Sequence, residues 1–251
     1  MRAILIALAL LLAAAGGYAF KEFAVARDAG GAPSQAATDQ AISQYLKAHP
    51  DEVMAAVKQA QANTEQQQQA EAHQALEQKQ DQIFNNPADP VLGNAEGDVT
   101  VVEFFDYRCP YCKRVSDSLM ELLKGDPNIR LVFKELPILG PESVVAAKIA
   151  LAAQRQGKYE VVHTAFMAHK GSFEKADLLE LAGEVGADKA KLAADMEDPA
   201  IQGQLQANDS LAGTLGITGT PGFLFGKQLV PGAISLDDMK KLVSTARAKA
   251  G

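Results

Sequence analysis

The chain holds two cysteines, three positions apart, as Cys109-Pro110-Tyr111-Cys112. Their flanks leave few folds open. Val99-Thr100-Val101-Val102-Glu103-Phe104-Phe105 is a run of β-branched and aromatic residues that predicts a buried strand. Lys113 to Lys124 predicts a helix, and Ile129-Arg130-Leu131-Val132-Phe133-Lys134-Glu135 a further strand. Strand, helix and strand at this spacing imply a parallel βαβ unit. The cysteines then fall between the end of a strand and the first turn of a helix. Unpaired N–H groups and the positive dipole end favour a thiolate there. A bridge between residues i and i+3 closes no long loop, so it is not expected to serve stability, and exchange chemistry is indicated. Cys109 is expected to be the exposed, attacking sulfur, and Cys112, one turn further in, the resolving thiol.

Other uses of the pair are weaker. The sequence has four histidines, none near the cysteines, so a four-ligand zinc site has little to build on, and no metal or cofactor is expected. Readings from other classes are a Cu(I)-binding module with two soft ligands and a tethered chaperone whose cysteines are incidental. The formal net charge is -7 and no basic cluster appears, which argues against a nucleic-acid partner.

Residues 1–26 carry Met1-Arg2, an apolar run from Ala3 to Ala15, and Gly16-Gly17-Tyr18-Ala19. This is the pattern of a secretory signal peptide, with an uncleaved anchor as the alternative. Either form places the globular part outside the cytoplasm, and a periplasmic location is expected. Residues 27–86 form a helical, Gln-rich extension. Asp39 to Ala48 predicts a short helix with Ile42, Tyr45 and Leu46 on one face, and a second helix runs from Asp51 to about Ile83. The stretch from Gln59 to Lys79 is polar almost all round and reads as a stalk or linker. The apolar positions within 39–57 need a partner, either another copy of the chain or its own catalytic domain.

Asn85-Asn86-Pro87-Ala88-Asp89-Pro90 marks a boundary, with a catalytic domain over 87–251. After a short strand at Val91-Leu92-Gly93-Asn94 and the βαβ unit come helix candidates at 143–156, 159–168, 176–185, 188–196 and 199–215. Two strands follow, at 221–226 and 228–230, then a final helix capped by Ser235. Asp106, Tyr107 and Arg108 are placed on the rim before the nucleophile. His49, His73, His163 and His169 are given surface or packing roles, and Phe166 and Met167 core roles.

This order resembles a thioredoxin-like α/β fold with an inserted helical domain at about 141–215, the arrangement of the DsbA family. Glu103-Phe104-Phe105 followed by Cys109-Pro110-Tyr111-Cys112 resembles the family's active-site strand and helix start. Gly219-Thr220-Pro221-Gly222-Phe223 resembles its cis-proline loop, and Ile138-Leu139-Gly140-Pro141 its entry into the insertion. The extension is similar to that of ScsC-like members. The resemblance implies a thiol:disulfide oxidoreductase acting on cysteine-containing exported proteins with a membrane redox partner. It further implies a homo-oligomeric isomerase or reductase assembled through residues 39–57, or else a monomeric dithiol oxidase. Pro221 is then cis and faces the cysteines, with Thr220 placing a hydroxyl near the sulfurs. Pro110 and Tyr111 tune the pair; many strongly oxidising members have a histidine where Tyr111 stands. Glu103, in an otherwise apolar strand, is the candidate proton acceptor for Cys112, with Lys134 as its expected partner.

Overall fold

The computed structural model describes residues 34–250, so the signal or anchor expected at 1–26 lies outside the described residues. No helix among the described residues is long and apolar enough to cross a membrane. The described residues divide into two compact units between Thr64 and Glu65.

In the first unit, helix α1 (Gln35–Ala48) is capped by Ser34, whose hydroxyl accepts from the Ala37 N–H. Pro50 opens α2 (Pro50–Gln78) at the first helical position, and Asp51 and Glu52 suit its positive end. Tyr45 stacks on His49 and donates to Glu52 Oε2 at 2.7 Å, which fixes the corner between the helices. None of the side chains of α1 is buried. Ile42, Tyr45, Leu46, Met54 and Val57 all stand exposed.

The second unit begins earlier than the proline-rich boundary. Ala75 and Leu76 of α2 and Ile83 of α3 (Gln80–Phe84) are buried against the sheet with Val102, Phe104 and Val132. The apolar face that resumes after the Gln-rich run is therefore core, not linker. The helix breaks at Lys79, so the expected single helix to Ile83 is two.

The strands are β1 (Val91–Gly93), β2 (Val99–Phe105), β3 (Ile129–Glu135), β4 (Gly222–Phe225) and β5 (Gln228–Pro231). They form one sheet in the order β1-β3-β2-β4-β5. Only β2 and β3 pair in parallel, joined through α4 (Pro110–Gly125); the other pairs are antiparallel. Between β3 and β4 lie α5 (Pro141–Gln154), α6 (Tyr159–Ala168), α7 (Lys175–Glu184), α8 (Lys189–Asp195) and α9 (Pro199–Thr214). Asp188 and Asp198 cap α8 and α9 as their sequence suggests. Helix α10 (Leu236–Ala250) closes the chain.

Strand alternation sorts the two faces. Val99, Val101, Phe105, Leu131 and Phe133 point to a core shared with α4, α10 and the insertion, whereas Val102, Phe104, Val132 and Leu224 point to the α3 side. Each fully buried large apolar side chain contributes roughly 1.5–3 kcal/mol. The central strands carry such residues on both faces, so β2 is rigid. It ends four residues before Cys109, and that rigidity fixes the origin of the site.

Candidate active site

Cys109 is the N-cap of α4 and Pro110 follows at its first helical position. The cap geometry aims Cys109 Sγ at the orphan donors of the first turn, and it accepts from Cys112 N–H at 3.4 Å. Cys112 is fully buried on the inner face of the same turn. Both cysteines are free. Cys109 is itself only 3 % exposed, less than its leading position suggests. The Thr220–Pro221 loop abuts its sulfur, and the Cys109 thiol donates to the Thr220 carbonyl at 3.2 Å. The Thr220–Pro221 bond is cis.

The environment separates the two sulfurs. The Cys109 pKa is drawn down to about 5, first by the hydrogen bond from the Cys112 thiol, then, against the cost of burial, by Thr220 and the Cys112 and Tyr111 backbone donors. Cys112 is driven far above an ordinary thiol by burial, by the hydrogen bond it gives Cys109, and by the neighbouring Glu103 charge. One sulfur is poised as a thiolate while the other keeps its proton.

Glu103 lies on the α4 face of β2 and is 1 % exposed. Its Oε1 has no hydrogen-bond partner. Burial, with the Cys109 charge adding to it, pushes its pKa up to about 8. A buried carboxyl with that value beside two sulfurs can hold or accept a proton near neutral pH.

Beside the cis bond opens a groove of about 440 Å³ whose walls include Tyr111, Arg114, Ile217, Pro221 and Leu229. Tyr111 is half exposed, and the Arg114 guanidinium sits 4.9 Å from its ring centre. Gly222 is required here, because a Cβ would come within 2.8 Å of the Ile217 side chain.

The profile of the DSBA-like thioredoxin domain matches residues 100–244, which span β2 through most of α10. The chain belongs to that family. A solved thioredoxin-like oxidoreductase from Silicibacter pomeroyi is 48% identical, with 67% of this chain and 97% of that one covered at a TM-score of 0.65. Proteus mirabilis ScsC in a transitional conformation is 27% identical over 86% of this chain and 100% of its own, at a TM-score of 0.66. The DsbA of Bordetella parapertussis is 30% identical over 150 residues, 58% of this chain and 71% of its own. The first curated relatives are longer proteins, Na(+)/H(+) antiporters of Salinispora, and the chain spans 26% of their length.

Three expectations within this DsbA-like site need correction. Lys134 does not pair with Glu103. In the parallel register Glu103 faces Phe133, so Lys134 falls on the opposite face of the sheet. There it is fully buried, paired with Asp89 and bonded to the Gln82 carbonyl. Asp106 and Tyr107 are not rim residues: both are 1 % exposed, and only Arg108 reaches solvent. Asp106 turns inward because its carboxylate accepts from the Arg108 and Leu139 N–H groups. The third correction is the burial of Cys109 itself.

A buried polar cluster beneath the site escaped the sequence reading. The Tyr107 and Tyr159 hydroxyls both donate to Glu135 Oε1 at 2.9 Å, and the Tyr107 hydroxyl lies 3.1 Å from His163 Nδ1. Burial raises Glu135 well above the carboxylate range and lowers His163 to about 3. The cluster ties the residues before Cys109 to the insertion. Its only sequence signal is a glutamate at the end of an apolar strand, which also fits an exposed strand end. His163 keeps the packing role expected of it, and Phe166 and Met167 are core.

Proposed function

We propose that this chain is an exported thiol:disulfide oxidoreductase that acts on cysteine-containing proteins through Cys109 and Cys112. The observation that carries this is the opposite tuning of two sulfurs in one helical turn: Cys109 drawn down to about 5, Cys112 buried and held as a thiol. Cys109 attacks a substrate disulfide, and Cys112 resolves the mixed disulfide while Glu103 takes its proton. Thr220 and Pro221 border the sulfur, and the Thr220 backbone is available to an extended substrate segment. Pro110 and Tyr111 tune the pair.

The finer reading is a homo-oligomeric isomerase or reductase, kept reduced by a membrane partner and located in the periplasm. In this reading residues 1–26 are the export signal, the residues from 27 to about 64 the extension that assembles copies through 39–57, and the rest of the chain the catalytic domain, whose core includes Ala75, Leu76 and Ile83. It is supported by the exposed face of Ile42, Tyr45, Leu46, Met54 and Val57, since apolar groups spaced this way are normally covered by a partner helix. A dithiol oxidase is the second reading, favoured by the low Cys109 pKa: a stabilised thiolate makes the disulfide the stronger oxidant. Light scattering joined to refolding of scrambled ribonuclease separates them. An oligomer that unscrambles supports the first. A monomer that oxidises dithiols without unscrambling sinks it and leaves the second. Loss of all exchange in Cys109→Ala is expected under both, and full activity in that variant would overturn both.

A further inference from the structure

A second recess, sharing no residue with the Pro221 groove, includes the residue before Cys109 and the residue one turn after it. It measures about 260 Å³ and is lined by Arg108, Lys113, His169, Lys170, Gly171 and Phe173. Arg108 directly precedes Cys109. Lys113 N–H bonds to the Cys109 carbonyl, so the two residues share one face of α4 a turn apart. The remaining residues belong to the turn between α6 and α7.

The recess is built around a cation. Lys113 Nζ reaches across to the end of α6, donating to the Phe166 carbonyl at 3.1 Å and to the His169 carbonyl, with its charge 4.9 Å from the Phe173 ring centre. Gly171 allows the wall to form, because a Cβ there would meet the His169 ring at 2.8 Å. Lys113 is partly withdrawn from water, yet among the described residues it has no carboxylate partner, and neither does Lys170. Arg108 spends one nitrogen on Glu142 and the Leu139 carbonyl, which leaves other guanidinium donors free. In a chain of formal net charge -7, the recess gathers three cationic side chains of which only Arg108 has a carboxylate partner, and Arg108 and Lys113 adjoin Cys109 in the chain and on its helix.

We infer that this recess is a subsite for a carboxylate carried by the thiol or disulfide substrate. A cation partly removed from water and paired only to neutral carbonyls leaves an incoming anion a net gain. The anion must arrive with the sulfur that reacts at Cys109. Protein side chains and small peptide thiols carry carboxylates, so the subsite selects substrates with an acidic group close to their cysteine. This rests on the exchange reading above, and the two fail separately.

The test uses the disulfide form of the full chain and reduced peptides identical except for Glu, Gln or Lys beside their cysteine. Second-order rates are read by acid quench and chromatography and expressed per thiolate. At low salt the Glu peptide should react about tenfold faster than the Lys peptide, with Gln between, and added salt should compress the spread. Lys170→Glu should shrink the Glu-to-Lys ratio several-fold. Equal rates for the Glu and Lys peptides, or a ratio unmoved by both salt and Lys170→Glu, would overturn the subsite while the Gln peptide still reports exchange. No reaction with the Gln peptide would overturn exchange and the subsite with it. Reduced glutathione against its diester identifies the source. A preference for the free acid assigns the recess to small thiols, and a preference confined to the peptides assigns it to acidic protein substrates.

Discussion

The Cys109 sulfur lies 3.2 Å from the Thr220 carbonyl oxygen, although the two residues are 111 positions apart. Only the protonated thiol can donate that bond. The thiolate must turn instead to the donors on its other side, the Cys112 thiol and the N–H groups of Tyr111 and Cys112. The sulfur thus sits between an acceptor that favours its proton and a helix start that removes it, and the helix start prevails.

The first prediction follows from that balance. Alkylation of the reduced protein by iodoacetamide should rise with pH about a midpoint near 5 and be flat above it, with Cys109 modified and Cys112 spared. The depressed value also fixes a sign for stability. The stabilisation is fully present above the ordinary value of 9.0 and is lost as pH falls through about 5. The reduced form should therefore lose its advantage over the disulfide form on acidification. A midpoint near 8 to 9 would refute the site as described.

Thr220→Val keeps the side-chain shape and removes the hydroxyl that helps hold the Cys109 thiolate. The alkylation midpoint should move up by about one pH unit, and the disulfide should become a weaker oxidant. Thiolate absorbance during titration measures the first effect, and equilibration with glutathione the second. An unmoved midpoint would show that the helix start alone sets the value.

Much of this site was legible because its signals are local. The strand Val99–Phe105, the cap position of Cys109 and the order of elements all follow from period and punctuation in the chain. The missed features depend on pairing. Strand alternation alone puts Lys134 on the other face from Phe133, but whether Glu103 shares the face of Phe133 or of Lys134 depends on the β2–β3 register, which becomes visible only when the strands are paired. Tyr107, Glu135, Tyr159 and His163 are spread over β3, α6 and the loop after β2, and only packing of the insertion brings them together. The polar run before Leu76 hid the return of α2 to the core.

Glu103→Gln is the third test. Glu103 has a folded value of about 8 against an ordinary 4.5, so between these pH values the unfolded chain has lost a proton that the folded chain keeps. Wild-type stability must fall as pH rises through that window. The variant lacks the titration, so its stability relative to wild type should improve by about 3 kcal/mol from pH 5 to pH 8 in urea unfolding of the reduced proteins. If Glu103 also receives the Cys112 proton, resolution of a mixed disulfide should slow in the variant and lose the carboxyl's inflection, which in wild type falls below 8 because Cys109 carries no charge in the mixed disulfide. Stability gain without slower resolution would make Glu103 a buried charge with no part in the exchange.

The last prediction concerns the opposite face of the sheet. Lys134 and Asp89 are both fully buried as side chains and paired to each other. Burial lowers the Lys134 value and raises that of Asp89, and the partner opposes the shift in each case. Lys134 also bonds to the Gln82 carbonyl at 2.5 Å, and Arg130 to the Phe84 carbonyl at 2.6 Å, so β3 clamps α3 through backbone acceptors as well. Lys134→Met leaves Asp89 buried without its cation and should cost about 3–5 kcal/mol; Asp89→Leu should cost a similar amount through the stranded ammonium. The double variant removes both charges and should recover at least half of the loss, because desolvation offsets much of what the pair contributes. Urea midpoints of the three variants decide this. Additive losses in the double variant would mean that Lys134 and Asp89 act independently, each through its own backbone and side-chain contacts. The Cys109 alkylation midpoint should stay fixed in all three, since the sheet stands between this pair and the sulfurs.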